Sequence, residues 1–371
     1  MGALYLFGWS FITYLGWTLI NIPWLAWGAE ISPDYHEKSA LASSREVFAV
    51  IGTVAVISLP VLLSIESELD KTLGLLANLV TFLLPLALIP LLWKLSDRTR
   101  TQDETGKISN INWKQLGFIK KHPAIKRLLP AYFINSFANA LPATLFILFV
   151  THVLKMPDQL GVLLVCYFLA AIAGLPFWLY MARKTDKHRS WSLALIIAIG
   201  SFIWVPLLGE GDFYAFLVIC LMSGFALGAD VVLPASIQAD IAQDMTFEEA
   251  ENLSGDSLSR QGMTGLLFGL WGLLTKLALA LAVGIAFPLL DSVGLNSDAP
   301  SKLALTTLAI TYALLPVILK FWVVIQMWHF PFDQKYFSRE LGDTKKGSNN
   351  ENHNTTTVIS SISVSPSFKR L

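Results

Sequence analysis

The sequence predicts an all-helical protein that crosses a membrane about nine times, and both its composition and its apolar runs support this fold class. Of the 371 residues, 54% are hydrophobic and only 15% are charged, whereas soluble domains are about a quarter charged. The apolar residues gather in runs that match the roughly 20 residues a helix needs to cross a bilayer. The predicted crossings are 3–29, 47–65, 72–93, 128–150, 160–181, 191–208, 212–234, 263–290 and 303–328.

The crossings are joined by two kinds of connector. Short connectors such as 66–71, 156–160 and 209–212 are typical of antiparallel neighbouring helices. The charged segment 94–127 is much longer and separates three crossings from six. We therefore predict four parts: a partial N-terminal bundle (1–93), a central loop (94–127), a six-helix C-terminal bundle (128–330) and a polar, partly disordered tail (331–371).

The distribution of Lys and Arg predicts the orientation, because cytoplasmic loops carry an excess of these residues. Nearly all of them fall in one set of connectors and in the tail, while the opposite set holds only Lys71, Lys155 and Lys302. We therefore expect a multi-pass protein of the cell (inner) membrane with its C-terminus in the cytoplasm.

The division into three and six crossings is uneven. Many transporters consist of two like-sized halves joined by a long loop. We therefore expect about three further crossings in the parent architecture, ahead of the first one found here. A genuine nine-crossing protein is the alternative.

Two stretches beside the crossings have a distinctive spacing of residues. The first consists of Pro23-Trp24, Glu30, Asp34-Tyr35-His36-Glu37-Lys38, Leu41, Arg45 and Gly52, and the second is 238–284, which includes Asp240, Arg260 and Lys276. Both resemble the signature of the glycoside-pentoside-hexuronide:cation symporter family, whose fold is the major facilitator-type helical bundle. In that register 3–29 matches family helix IV, so family helices I to III have no counterpart in the sequence.

The resemblance implies a secondary active transporter, namely a symporter that couples a sugar or glycoside to Na⁺ or H⁺ by alternating access. Its partners would be the small-molecule substrate and the lipid bilayer, with no nucleic acid and no cofactor besides the coupling ion, and we expect a monomer. The family's cation site uses acidic residues of helices II and IV, but the helix IV position here is Asn21. We therefore expect the purified chain alone to show no gradient-driven glycoside uptake in liposomes. Robust uptake that depends on a sodium or proton gradient would contradict the expected shortening.

The first crossing supplies three candidate residues for the substrate or cation path. Trp17, Asn21 and Trp24 share one face of the predicted helix. Amides that bind hydroxyls, together with aromatic faces that cover a sugar ring, suit a carbohydrate ligand. Packing is an equally good explanation for the two tryptophans, because Trp is common in packing and near membrane interfaces.

Three basic residues near or within crossings call for an explanation. Arg45 lies at the start of the second crossing, where a family arginine lines the path, and an anchor to lipid phosphate is the alternative. Lys276 lies in mid-crossing, where an ammonium must face the protein interior or a cavity, so we predict a cavity lysine rather than a buried structural ion pair. Lys320 lies within two turns of a helix end, and we interpret it as an anchor that reaches the headgroups.

The C-terminal bundle contains polar residues at membrane depth. Asn135 and Asn139 form one stripe of a helix, which predicts either substrate binding or hydrogen bonds between helices. Asp230 lies deep in the seventh crossing, and its position favours either proton coupling or a local pairing.

Charged residues outside the crossings are candidates for a cytoplasmic gate. The segment 182–190 resembles a loop of the superfamily in which Asp186 and Arg189 would hold one closed state together through charges at helix ends. Ordinary cytoplasmic basic charge explains Arg189 but not Asp186. The family resemblance adds Asp34, Glu37 and Asp240 to this gate.

Two other functions remain open, while several are excluded. The sequence has no P-loop, no His-Glu-x-x-His motif and no Ser-His-Asp arrangement, so we expect neither ATP hydrolysis nor an enzyme. One alternative is a lysolipid or other amphiphile carrier of the same fold, which would need a lateral opening and an apolar cavity. The other is a non-transporting membrane protein that binds a partner through 94–123 and the tail.

Overall fold

All regular elements in the part of the chain that the computed structural model describes are helical. The described residues are 2–30, 44, 48–49, 51–53, 55–56, 59, 63, 69–94, 122–252, 257–295 and 300–330. The α-helices within them are α1 (Gly2–Glu30), α2 (Leu69–Lys94), α3 (Pro123–His152), α4 (Leu160–Lys184), α5 (Lys187–Phe202), α6 (Phe213–Asn252), α7 (Ser257–Ser292), α8 (Lys302–Ala309) and α9 (Leu315–Trp328).

Seven helical segments of the described residues are long and apolar enough to cross a membrane. They are Lys71–Pro90, Pro123–His152, Pro157–Lys184, Lys187–Leu207, Phe213–Ile241, Leu266–Ser292 and Lys302–Trp328. The prediction of an all-helical, multi-pass membrane protein is therefore confirmed. Helix α1 covers the predicted crossing 3–29 but is not among these seven segments, and most of 47–65 lies outside the described residues, so the count of nine crossings stays a prediction.

The helices extend beyond the predicted crossings at several ends. Helix α3 begins at Pro123, inside the predicted central loop. Proline suits this position because the N–H groups of a helix's first turn have no acceptor within the helix, so the N–H that proline lacks costs no hydrogen bond. Helix α6 continues to Asn252, so Asp240 is part of a helix rather than of a connector. The remainder of the loop between 95 and 121, and the tail 331–371, lie outside the described residues.

The second part of the molecule is a bundle in which α6 is central. Helix α6 packs along α4 and α5, while α3 packs against α7 and α9, and α9 also packs against α5. Aromatic residues fill one end of this bundle, where the ring of Phe149 stacks on Tyr312 with centroids 4.4 Å apart and lies 5.5 Å from Phe216. The last crossing combines α8, a π-helical turn at Ile310–Leu314 and α9.

Glycines allow α4 and α6 to approach closely. A Cβ on Gly224 would clash with the carbonyl oxygen of Tyr167, and one on Gly228 would lie 2.6 Å from that of Ala171. Both contacts are with backbone, which cannot move aside as a side chain can. Small residues at such contacts are typical of helix packing in membranes.

We predict that Gly224→Ala destabilises the protein by about 1–3 kcal/mol, because the added methyl group forces the two backbones apart. Thermal unfolding in detergent would measure the loss. Gly200→Ala is the matched control, since a Cβ at Gly200 meets nothing within 4 Å. Equal unfolding midpoints for the two variants would contradict the prediction.

Candidate functional site

Lys276 connects α7 with the first crossing. Its Nζ donates a hydrogen bond to Thr18 Oγ1 at 2.8 Å and lies 4.9 Å from the centroid of the Trp17 ring. A cation over an indole face is attracted by the negative charge of that face. The structure therefore brings together two residues that the sequence analysis placed on the path, Trp17 and Lys276, and adds Thr18 to them.

An aromatic pair joins α3 to α7 in the part of α7 that precedes Lys276. Tyr132 of α3 stacks on Trp271 of α7 with ring centroids 3.4 Å apart and planes 18° apart. The Tyr132 hydroxyl is 2.7 Å from Oγ1 of Thr275, the residue that precedes Lys276. Sequence analysis missed all three of these residues. The position of Tyr132, three residues before Asn135 on the same helix face, was the available signal.

The Asp230 carboxylate is the centre of a polar network, which we call the Asp230 cluster: Asp230, Lys320, Asn135, Asn139 and Trp191. Oδ1 accepts hydrogen bonds from Asn135 Nδ2 at 3.0 Å and from Trp191 Nε1 at 2.5 Å. Oδ2 accepts from Asn139 Nδ2 at 3.0 Å and from Lys320 Nζ at 3.1 Å. Lys320 also donates to Asn135 Oδ1 at 3.0 Å. The cluster thus joins α3, α5, α6 and α9.

The interpretation of Lys320 as a headgroup anchor is wrong. Its side chain is 10% exposed and forms an ion pair with Asp230, whose side chain is 7% exposed. Lys320 lies near a helix end along the chain, but its face of α9 is turned towards α3 and α6, so its ammonium points inward. For Asp230, the structure shows the local pairing that was one of the two alternatives.

The proposed gate residues form two ion pairs at the start of α5. Lys187 of α5 and Asp240 of α6 are 2.6 Å apart, so this pair joins two helices. Asp186 and Arg189 are 3.4 Å apart and lie within one turn of chain. Asp186 directly precedes α5, where a negative charge is favourable beside the helix N-terminus. The gating role itself stays a prediction.

Several predicted site residues cannot be placed. Asp34, Glu37 and Arg45 lie outside the described residues. Asn21 and Trp24 belong to helix α1, but the structure does not describe their side chains. The expected common face of Trp17, Asn21 and Trp24 therefore stays a prediction.

An apolar cavity of about 270 Å³ lies between the second predicted crossing and the helices α4 and α6. Its lining consists of Ala49, Thr53, Phe168, Ala171, Leu175, Leu227, Gly228 and Val231. On α6, Gly228 and Val231 face this cavity, whereas Asp230 faces α3, α5 and α9. The cavity and the Asp230 cluster therefore lie on different faces of α6.

Comparison with known proteins identifies the family. The family described as MFS/sugar transport protein, where MFS stands for the major facilitator superfamily, matches residues 1–334. The chain belongs to this family. The resemblance to sugar:cation symporters within the major facilitator superfamily is thereby confirmed. Members of this family are membrane transporters rather than enzymes, in agreement with the sequence analysis.

Individual relatives are distant members of the same superfamily. An uncharacterized symporter of Bacillus subtilis, YnaJ, is 24% identical over 91% of this chain and 73% of its own length. The human sodium-dependent lysophosphatidylcholine symporter 1 is 21% identical over 60% of this chain. A sphingosine-1-phosphate transporter of Xenopus tropicalis is 22% identical over 43% of this chain. The chain spans 40% of the length of the human relative and 29% of the Xenopus relative.

Proposed function

We propose that this chain carries the substrate-binding part of a cation-coupled symporter that works by alternating access. The observation that carries the proposal is the contact of Lys276 with Trp17 and Thr18. An ammonium in the middle of a membrane helix is costly unless it faces the protein interior or a water-filled cavity. Here it meets α1, which belongs to the N-terminal part (1–93) of the proposed domain division.

Alternating access requires a contact between the two bundles that a substrate can replace, and we propose that the contact between Lys276 and Thr18 has this role. In this mechanism two bundles rock against each other around a site near the bilayer midplane. The Lys276 ammonium holds a neutral hydroxyl, that of Thr18, and a hydroxyl or an anionic group of a substrate can take the same place. A substrate that replaces Thr18 would change the balance between the two arrangements, because it binds one of them more tightly.

The first substrate class that we propose is a sugar or glycoside. The ammonium of Lys276 suits a sugar hydroxyl that takes the place of Thr18, while Trp17 offers an aromatic face to a sugar ring. Thr275, which precedes Lys276 in the chain, adds a hydroxyl that lies 2.7 Å from that of Tyr132. The description of the family as one of sugar transport supports this class.

The second candidate substrate is an amphiphile such as a lysolipid. It is favoured by the apolar cavity beside α4 and α6, which has the lining that an alkyl chain requires. It is also supported by the names of two relatives, a lysophosphatidylcholine symporter and a sphingosine-1-phosphate transporter. In this case Lys276 would bind the phosphate of the headgroup rather than a sugar hydroxyl.

The proposal also covers the orientation in the membrane, the oligomeric state and the coupling ion. The positive-inside pattern supports a C-terminus in the cytoplasm and a location in the cell (inner) membrane. We also propose a monomer whose partial bundle 1–93 and six-helix bundle 128–330 enclose the site. Coupling to Na⁺ or H⁺ is supported by the relatives that are named symporters.

Ligand protection tests the proposal and separates the two substrate classes. A ligand that binds only the folded protein raises its unfolding temperature by mass action, with about 2.7 kcal/mol of stabilisation at a concentration of 100 Kd. We expect the purified chain to be protected by members of a panel of mono- and disaccharides. Protection by long-chain lysophosphatidylcholine alone would favour the second candidate. Protection by neither class would contradict the proposed site.

A further inference from the structure

The Asp230 cluster has no role in the function proposed so far. We propose that it is a positioning device for the substrate site: through Asn135 and Asn139 it fixes the rotation of α3, so that Tyr132 reaches Thr275, the residue that precedes Lys276 on α7. This inference rests on the proposed function, because it treats Tyr132 and Lys276 as walls of one site. Asp230 and Lys320 are then positioning residues that act without touching the substrate.

The Asp230 carboxylate finds all its hydrogen-bond partners and its counter-charge within the cluster. Each oxygen of the Asp230 carboxylate accepts two hydrogen bonds, and the Lys320 ammonium balances its charge. All four contacts to the carboxylate come from N–H donors, which is the arrangement that a negatively charged acceptor requires. The Asp230 carboxylate therefore needs neither a substrate nor a coupling ion to satisfy its two oxygens.

One face of α3 connects the cluster with Tyr132. Tyr132, Asn135 and Asn139 are three and four residues apart, so they lie along one face of this helix. The two amides bind both oxygens of Asp230 on α6, and Asn135 also accepts from Lys320 on α9. Because these ties come from two helices, they fix how α3 is turned about its own axis.

The rotation of α3 determines where the Tyr132 side chain lies. With α3 fixed, the Tyr132 ring lies flat on Trp271 and its hydroxyl meets Thr275. Turning α3 about its axis would move the ring off Trp271 and break the hydrogen bond to Thr275. The buried ion pair thus acts, through Asn135 and Tyr132, on the turn of α7 that precedes Lys276.

Fluorine NMR of 3-fluorotyrosine placed at position 132 tests this inference in the full chain in detergent. Trp271→Ala should shift the resonance, because it removes the stacked ring. Asn135→Leu should also shift it, since this variant removes two of the three hydrogen bonds that join α3 to Asp230 and Lys320, while Asp230 and Lys320 keep each other as partners. Thr144→Val is the matched control on α3, because the Thr144 hydroxyl donates only to the nearby Leu141 carbonyl at 3.0 Å, and it should leave the resonance unchanged.

The outcomes decide the proposal. If Asn135→Leu fails to fold, as judged by thermal unfolding, Asn139→Leu replaces it with the same expected shift. A resonance that stays at its original position in these two variants would overturn the positioning role. A resonance unmoved by Trp271→Ala would also overturn it, because the stack would then be absent. The measurement uses no substrate, so a failure of ligand protection would contradict the proposed function and leave this result intact.

Discussion

Removing either charge of the buried ion pair is expected to destabilise the protein by about 3–5 kcal/mol, whereas removing both is expected to restore most of the loss. The variants are Asp230→Asn, Lys320→Met and the double variant. The reason is that each single variant leaves one charged or polar partner in a place that is 7% or 10% exposed and lies at membrane depth. The double variant leaves no unpaired charge, and the amide introduced at position 230 can still accept a hydrogen bond from Trp191.

The measurement is unfolding of the four proteins in mixed micelles, analysed as a double-mutant cycle. The exposed pair of Lys155 and Glu210, whose side chains are 57% and 67% exposed, supplies the control. Lys155→Met should cause no measurable change, because exposed ion pairs contribute little to stability. A double variant whose loss equals the sum of the two single losses would show that Asp230 and Lys320 are not coupled, contrary to the structure.

The crossings could be predicted from the sequence because they depend on a local property. An apolar run of about 20 residues must become a helix in a bilayer, whatever its neighbours are. The inward stripe formed by Asn135 and Asn139 could be predicted for the same reason, since the helix period fixes which residues share a face. What these asparagines bind could not be predicted, because Asp230 lies 95 and 91 residues further along the chain.

The error at Lys320 shows where such reasoning stops. Distance from a helix end determines whether a lysine can reach the headgroups, but the face of the helix determines whether it does so. That face depends on Asp230, 90 residues away, and on Asn135, 185 residues away. Trp191 and Tyr132 were missed because a single aromatic residue in an apolar helix carries no sign of the polar partner at its N–H or O–H.

For the predicted path residues, the sequence could single out Lys276 but not its partner. Lys276 was singled out by the cost of an ammonium in mid-membrane, which is a property of its own helix. Its partner Thr18 is 258 residues away, and the Thr18 hydroxyl also donates to the Tyr14 carbonyl one turn earlier, which is all that its own helix would predict. Only the fold could show that Thr18 faces the ammonium. For Arg45 the structure adds nothing, because this residue lies outside its described part.

Lys276→Met is expected to weaken substrate binding by about 10- to 150-fold, because a hydrogen bond to a charged group contributes roughly 1.5–3 kcal/mol. The fold should persist, since the substitution removes the hydrogen bond to Thr18 but leaves an unbranched apolar side chain that suits a membrane helix. The measurement is the ligand concentration needed for half-maximal thermal protection. Lys276→Arg should keep most of the affinity for an anionic headgroup, which guanidinium binds well. It should lose affinity for a sugar that requires the compact ammonium, so this variant also separates the two substrate classes.

Thr18→Val completes the argument, because it removes the group that holds the Lys276 ammonium and leaves the ammonium in place. If a substrate replaces Thr18, this variant should bind the substrate at least as tightly as the original protein, since no hydrogen bond has to be broken first. If the contact between Lys276 and Thr18 only holds two helices together, Thr18→Val and Lys276→Met should lower the unfolding temperature alike and leave the protection by ligand unchanged. A loss of affinity in Lys276→Met without a loss in Thr18→Val is therefore the result that a binding site requires and a structural contact cannot produce.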